Sequence, residues 1–405
     1  MEVLIVSAIA KPHLLFISAE NPFPQDSGGK LRTGNILRIL AQAYSIDLVT
    51  YDNQQKIAPA EESVAIHGVR KTVTYRKAML RSLYTLRNCS YMSHADVDFG
   101  AKISELCSRI PYDKVFISHS LLGGCLRLVK KILPDARIIT DAHNFETGLS
   151  GQLASTKKGV GKHYFRMNAL FTKRDEKRVL EHTDLLFTTS QEDAGEFAKL
   201  LPRHSHKVHV IPNFIDLKSY TLPPESAKEK FIILPGNMNY FPNVNGALYF
   251  YKEIYAKVKA AIPDLKWYIV GRDVNPAVAS LAQHDSSVVV TGYVDSVMDY
   301  IRRAKVVIAP LLEGSGTRLK ILEAWAARTP VVSTFKGAEG LAYQHGQDIF
   351  VTDQSSEFAD YIIRLVNDCS LNEEIAERAY GNLLAYYEKE AVSSRILHSM
   401  ESRSS

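Results

Sequence analysis

Pro310-Leu-Leu-Glu-Gly-Ser-Gly-Thr-Arg-Leu-Lys-Ile-Leu-Glu-Ala-Trp325 is the stretch on which the reading of this chain turns. Val306-Val-Ile-Ala309 before it has no polar alternation, which predicts a parallel strand covered on both faces. Glu313 to Thr317 is a loop with glycines at 314 and 316. From Arg318 the pattern turns helical, with Leu319, Leu322 and Trp325 three residues apart. Strand, glycine loop and helix N-terminus in that order form an anion site, because bare N–H groups and the helix dipole meet there. Arg318 and Lys320 stand against that dipole, so a ligand anion must outweigh the cost. A diphosphate suits them: Arg grips it bidentately and Lys acts as a point charge. Glu323 is placed to accept from paired hydroxyls such as those of a ribose. The competing reading is an ordinary amphipathic helix with surface charges.

The rest of the chain repeats the same grammar. His13-Leu-Leu-Phe-Ile-Ser18, a turn-rich loop ending in Gly28-Gly29, and a helix over Lys30–Leu40 make a second strand–glycine loop–helix unit. Further strands are expected at Asp47–Tyr51, Lys114–Ser118, Arg137–Thr140 and Leu185–Thr188, and Lys157–Leu180 reads as a basic helix. Val208–Asp216 is a strand running into a turn. The linker-like Thr221–Lys228 divides the chain. Beyond it, strands Phe231–Leu234, Trp267–Val270, Val288–Thr291, Val306–Ala309 and Val331–Ser333 alternate with helices, among them Gly246–Ala260, Phe358–Leu365 and Leu371–Tyr387. Alternation of this kind predicts α/β domains with doubly wound parallel sheets, whose ligands sit beyond the carboxyl ends of the strands. Glycines 236, 271 and 292 mark three such ends. In the first half, His119 follows one strand, and His143, Asn144 and Glu146 follow another. For His143 position and company favour function; for His119 alone a structural histidine is the better reading.

Composition sets the bounds. A chain of 405 residues, 46% hydrophobic and 23% charged, is long enough for two cores and is not a disordered type. Its four cysteines lie far apart with no CxxC pair, which points to a reducing compartment and no zinc site. Asp96-Val-Asp98 resembles a metal-binding pair, but its polar setting argues against that use, so no metal is expected. No apolar run reaches the ~18 residues of a membrane span. Met1 to Ala10 lacks a basic start and reads as a short extra strand rather than a signal peptide. The net charge of +5 is uneven: residues 1–215 carry +8 and residues 216–405 carry −3. Arg70, Lys71, Arg76, Lys77, Arg81 and Arg87, interleaved with Tyr75, Leu80, Leu83, Tyr84 and Leu86, form a basic amphipathic stretch. It suits a peripheral contact with an anionic membrane through residues 70–87, against the alternative of a solvated helix face. No nucleic-acid motif appears. A cytoplasmic location, peripheral on the inner membrane face, follows from these expectations.

The sequence resembles glycosyltransferase family 4 and its GT-B relatives. The resemblance rests on Asp26-Ser-Gly-Gly-Lys, Asp141-Ala-His-Asn-Phe-Glu, Ile211-Pro-Asn, Phe241-Pro-Asn-Val-Asn, Thr291-Gly-Tyr-Val-Asp, Gly314-Ser-Gly-Thr-Arg-Leu-Lys-Ile-Leu-Glu-Ala, Pro330-Val-Val-Ser-Thr and Gly337-Ala-Glu-Gly. It implies two Rossmann-like domains facing across a cleft. One is an acceptor-side domain, 1–215, with a C-terminal helix at about 386–405 packing back on it; the other is a donor domain, 216–385. It implies a retaining, metal-independent transferase with a nucleotide sugar as substrate, a UDP-sugar favoured, no cofactor, and a carbohydrate or lipid-linked acceptor. Glu323 would hold the ribose, Arg318 and Lys320 the diphosphate with Gly28 and Gly29, and His143 the donor sugar. Tyr293 and Val294 would lie beside the base, helped by Arg272. Gly236, Asn237, Glu313, Ser315, Gly316 and Thr317 complete the donor set; Asp26, His119, Asn144 and Glu146 fall on the acceptor side. Two departures stand out. Ser315 occupies the place of the family's first motif glutamate, with Glu313 as the substitute. Asn237, Met238 and Asn239 replace the usual Arg/Lys pair, which moves phosphate binding to Arg318 and Lys320. An epimerase or hydrolase on this architecture, or a non-catalytic sugar-binding subunit, are the alternatives.

Overall fold

The computed structural model describes residues 11–25, 27–52, 63–94, 96–156, 159–219, 228–314 and 318–402. The readings at Met1–Ala10, Asp26, most of the 221–228 linker, Ser315, Gly316 and Thr317 lie outside them. The chain divides into two compact units. The N-terminal unit holds residues up to Thr188, Ala194–Val210 and the segment from Ile396; the C-terminal unit holds Thr189–Asp193 and Ile211–Arg395.

In the N-terminal unit the chain runs β1 (His13–Ser18), α1 (Gly28–Ala43), β2 (Ser45–Asp52), β3 (Val64–Arg70), α2 (Tyr75–Thr85), α3 (Cys89–Ser93), α4 (Val97–Arg109), β4 (Lys114–Ser118), α5 (Leu126–Ile132), β5 (Arg137–Ala142), α6 (Glu146–Thr156), α7 (Gly159–His182), β6 (Leu185–Thr188), α8 (Gln191–Leu200) and β7 (Val208–Val210). The seven strands are parallel and ordered β3-β2-β1-β4-β5-β6-β7. Order reverses between β1 and β4, so the ligand crevice of this sheet lies beyond Ser18 and Ser118. Leu15, Ile17, Val115, Ile117 and Ile138 build its core against Phe99, Ile103 and Leu180. Strand β3 was not foreseen. It is an edge strand whose His67 and Gly68 interrupt the apolar run, and Val69 alone of its residues is buried. The expected single helix over Lys157–Leu180 is preceded by a separate one, α6.

The C-terminal unit runs β8 (Glu229–Pro235), α9 (Phe241–Phe250), a π-helical turn at Tyr251–Tyr255, α10 (Ala256–Ala261), β9 (Lys266–Val270), α11 (Pro276–His284), β10 (Val288–Gly292), α12 (Val297–Arg303), β11 (Ala304–Ala309), α13 (Leu319–Ala326), β12 (Val331–Ser333), β13 (Phe350–Val351), α14 (Ser355–Asn367), α15 (Cys369–Tyr386) and the start of α16 (Lys389–Glu401), whose residues from Ile396 belong to the N-terminal unit. Its parallel sheet is ordered β10-β9-β8-β11-β12-β13. The switch point falls between β8 and β11, which is where Gly236 and the Pro310–Gly314 loop emerge. Helix α9 starts five residues before the expected Gly246, because Pro242 in its first turn needs no N–H partner. The run Val306–Ala309 is fully buried, as its lack of polar alternation predicts. Gly271 is obligatory: at φ +154° a Cβ there would lie 1.8 Å from the Gly236 carbonyl oxygen. Two strand ends thus pass in direct backbone contact at the crevice.

Candidate active site

In the C-terminal unit the site grows from the ends of β8 and β11. Helix α13 begins one residue later than expected, and Arg318 is its N-cap, with extended backbone. Its side chain is 8% exposed. The guanidinium donates to the Lys336 carbonyl at 3.3 Å and lies 4.0 Å from the Glu339 carboxylate. Gly314, at φ +107°, packs against it; a Cβ there would sit 3.0 Å from Nη2. Lys320 points the other way, toward β8. Its Nζ donates to Asn243 Oδ1 at 2.7 Å and lies 3.4 Å from where a Cβ on Gly236 would be. Asn243 in turn donates to the Asn237 carbonyl at 2.8 Å, and Asn245 donates to Glu313 at 2.9 Å. The Phe241-Pro-Asn-Val-Asn run is thereby explained: the first turns of α9 send one amide to Lys320 and one to the loop after β11.

This cluster is electrostatically loaded. Burial, and then the Arg318 charge beside it, pushes the Lys320 ammonium down to about 7, with Glu323 on the same helix opposing the shift. Burial also lowers Arg318, against Tyr240 and Glu339. A diphosphate anion would relieve both. The sign for stability follows. Unfolded lysine titrates near 10.4, so between about pH 7 and 10 the unfolded chain binds more protons and stability rises with pH. Lys320→Met should therefore raise Tm most at pH 6, with a gain that shrinks toward pH 10. The same variant should lose nucleotide diphosphate binding. Thermal scans at pH 6, 8 and 10, with and without UDP, check both.

The remaining donor-side residues are spread outward. Arg272 follows β9; its carbonyl accepts from the Met238 amide, and its Nε lies 3.4 Å from Asp273. Asn237 donates to Asp273 at 2.8 Å. Tyr293 and Val294 follow edge strand β10, two strands from the switch point, with Tyr293 73% exposed. The structure groups Gly236, Asn237, Glu313, Arg318 and Lys320; Glu323 is one turn along α13, and Tyr293 and Val294 stand apart from them.

In the N-terminal unit, Ser27 caps α1 and Gly28-Gly29 open it. Gly29 lies beside His143: a Cβ there would be 3.5 Å from Nδ1. His143 Nε2 is 3.1 Å from Asp141 Oδ2 and 3.3 Å from Ser118 Oγ. Buried Arg32, on α1, donates to both Asp141 oxygens, Nε at 2.9 and 3.1 Å and Nη2 at 2.5 Å. Burial alone would raise the Asp141 carboxyl, but Arg32 and His143 outweigh it and hold it well below the usual carboxylate range. An ionised carboxylate only accepts, so Nε2 carries the proton given to Asp141 and Nδ1 is turned to Gly29. The sequence reading named His143 and missed Arg32, whose only signal was its place one turn after Gly28.

The His119 ring is tilted at 49° to that of His143, 4.7 Å away, at φ +87°, with its Nε2 3.9 Å from Glu146. Burial, then His143 and His94, lower it well below the usual range, so it is neutral. Asn144 donates to Glu146 at 3.3 Å. Glu176 of α7 accepts from the Glu146 and Thr147 amides at 2.7 and 3.0 Å, which fills the N-terminus of α6 and leaves it no anion role. Asp96 caps α4 through the Asp98 amide at 3.1 Å and takes two bonds from Thr72. It is a structural cap at a helix start rather than half of a metal pair in a polar loop. Among the described residues no group of three metal-ligating side chains occurs.

Residues 27–219 match the family model described as Glycosyltransferase Family 4, and residues 229–368 match that described as Glycosyl transferases group 1. A curated relative from Klebsiella pneumoniae, an uncharacterized 44.6 kDa protein in the cps region, is 24% identical over 95% of this chain and 98% of its own. Among solved structures, Anabaena HepE in complex with UDP-glucose is similar at TM-score 0.68 and 14% identity, over 96% of this chain and 99% of that one. Sucrose-phosphate synthase from Thermosynechococcus elongatus is similar at TM-score 0.71 and 16% identity, over 96% and 98%.

Proposed function

This chain belongs to the GT-B glycosyltransferases, and from that we propose that it moves a sugar from a UDP-sugar to a hydroxyl of a carbohydrate or lipid-linked acceptor, with retention, in glycan, cell-surface polysaccharide or glycolipid synthesis. The observation that carries the reading is the pair of buried Arg318 and partly buried Lys320 at the switch point, close enough for the Arg318 charge to act on Lys320. Likeness to a fold solved with UDP-glucose supports the choice of donor. In the reaction the bond from the anomeric carbon to the diphosphate breaks. A bond from that carbon to the acceptor oxygen forms, and the hydroxyl proton passes to the departing phosphate. Charge grows on the leaving group in the transition state. Arg318, Lys320 and the α13 N-terminus are fixed where that charge develops, which is the arrangement that lowers a barrier most. With no protein nucleophile assigned, attack occurs on the leaving-group side. His143 is assigned to the donor sugar and Glu323 to the ribose. Glu313, held by Asn245, substitutes for the carboxylate missing at Ser315. Thermal shifts against UDP, GDP, ADP and dTDP test the donor. UDP should give the largest rise, worth about 2.7 kcal/mol at a hundredfold excess over Kd; an equal response to all four would remove the UDP assignment.

The acceptor-side unit also carries a peripheral membrane contact in this proposal. Helix α2 buries only Ala78 and Ser82 and presents Tyr75, Leu80, Leu83 and Tyr84 to solvent, Tyr84 at 91% exposure. Arg76, Lys77 and Arg81 are exposed on the same helix. No helix among the described residues is long and apolar enough to cross a membrane. Replacing Leu80, Leu83 and Tyr84 with Ser should reduce co-sedimentation with vesicles of phosphatidylglycerol and phosphatidylcholine by on the order of 10²-fold. Wild-type binding should weaken with salt. Unchanged sedimentation would make α2 a plain solvated helix.

A further inference from the structure

We propose that the acceptor is a sugar carried on a lipid through a phosphate, and that Lys71 receives that phosphate. This rests on the glycosyltransferase reading and names the substrate class of its acceptor side. A line of side chains runs along the carboxyl edge of the N-terminal sheet. His143 begins it, and the His119 ring lies beside it, tilted, at 4.7 Å. His94 comes next, close enough to His119 to act on its charge. The His94 ring lies 6.0 Å from the Tyr51 ring, and the Tyr51 hydroxyl donates to the His94 carbonyl at 2.9 Å. Lys71, the residue after β3, completes the line with Nζ 5.4 Å over the Tyr51 ring.

The chemistry changes along this line. His119 and His94 are both held neutral, His94 by burial first and then by Lys71, down to about 4. Each has its Nδ1 engaged, His94 donating to the Ser90 carbonyl at 2.8 Å and His119 accepting from the Leu121 amide at 3.2 Å, which leaves His94 Nε2 to accept from a sugar hydroxyl and His119 Nε2 to donate to one. Lys71 brings a positive charge to the far end. Its acidic neighbour Asp96 favours the Lys71 charge against burial, while its oxygens accept from the Thr72 amide and hydroxyl, both at 2.8 Å, and from the Asp98 amide. Among the described residues Lys71 has no carboxylate within ion-pair distance. A phosphate is the group that would complete it.

What lies beyond Lys71 gives the direction of the lipid. Thr74 caps α2, and Tyr75 follows, so the exposed apolar and basic helix starts four residues after the cation. An acceptor laid along this line would put its sugar toward His143, its phosphate at Lys71 and its lipid on α2. At a bilayer surface this is also the order of depth: sugar in water, phosphate at the headgroups, chain below.

The test is a titration with farnesyl diphosphate, with octyl glucoside as the neutral control. Wild-type protein should bind farnesyl diphosphate saturably, and excess UDP should not displace it. Lys71→Met should weaken it about 10- to 100-fold, Lys71→Arg should restore most of the loss, and octyl glucoside should respond to neither change. A retained UDP thermal shift shows that the variant is folded. Unaltered affinity in Lys71→Met would overturn the proposal. So would displacement by UDP together with loss in Arg318→Ala, which would seat the diphosphate in the donor site. Normal transfer by Arg318→Ala would instead sink the donor reading and leave this titration standing.

Discussion

Arg318→Ala should reduce sugar transfer by about 10²–10³-fold while the protein stays folded. The guanidinium is buried at the start of α13, where it donates to the Lys336 carbonyl at 3.3 Å and lies 4.0 Å from the Glu339 carboxylate. Its charge matters most when the diphosphate departs, so the loss should fall on kcat as well as on donor affinity. Arg318→Lys should recover little, because an ammonium cannot reproduce the planar, two-pronged grip. Removing a buried cation that opposes the helix dipole should not lower Tm in the absence of nucleotide. A wild-type rate in Arg318→Ala, measured as UDP release with acceptor present, would refute the assignment.

The second large effect concerns Asp141. Asp141→Asn leaves Arg32 buried with half its partner gone, which should cost about 3–5 kcal/mol of stability, read from urea unfolding. It should also lower transfer, since His143 loses the acceptor that fixes its ring. Loss of stability alone could explain loss of activity, so a second variant is needed. Arg32→Met with Asp141→Leu removes both charges and should regain most of the stability, because an apolar pair of similar volume can replace a buried ion pair. It should not regain transfer. If it does, the Arg32–Asp141 pair is structural and His143 needs no orientation from it.

Much of this molecule is a direct consequence of local pattern. Buried parallel strands must be apolar on both faces, so Val306–Ala309 and Phe231–Leu234 declare themselves, and the glycines that follow them mark the ligand edge. Arg318 and Lys320 stood out for a similar reason: cations against a helix dipole are a local contradiction that calls for a partner, and the fold supplies Lys336, Glu339 and Asn243. Edge strand β3 was hidden because a half-covered strand has no continuous apolar run. Helix α6 was hidden because its ETGLSGQLAST run carries Gly148, Gly151 and several hydroxyl residues in place of strong helix formers.

What the tertiary structure alone decided is partnership. Arg32 and Asp141 are 109 residues apart, and nothing in either segment announces the other. Lys320 reaches Asn243 across 77 residues, and Lys71, Tyr51 and His94 meet from three separate segments. The physical reason is that periodicity encodes which face of an element is buried, whereas the neighbour on that face depends on strand order. In both sheets that order places β1 beside β4 and β8 beside β11. The sequence could therefore name most of the charged groups at the strand ends, while the crossover connections chose which of them share a site.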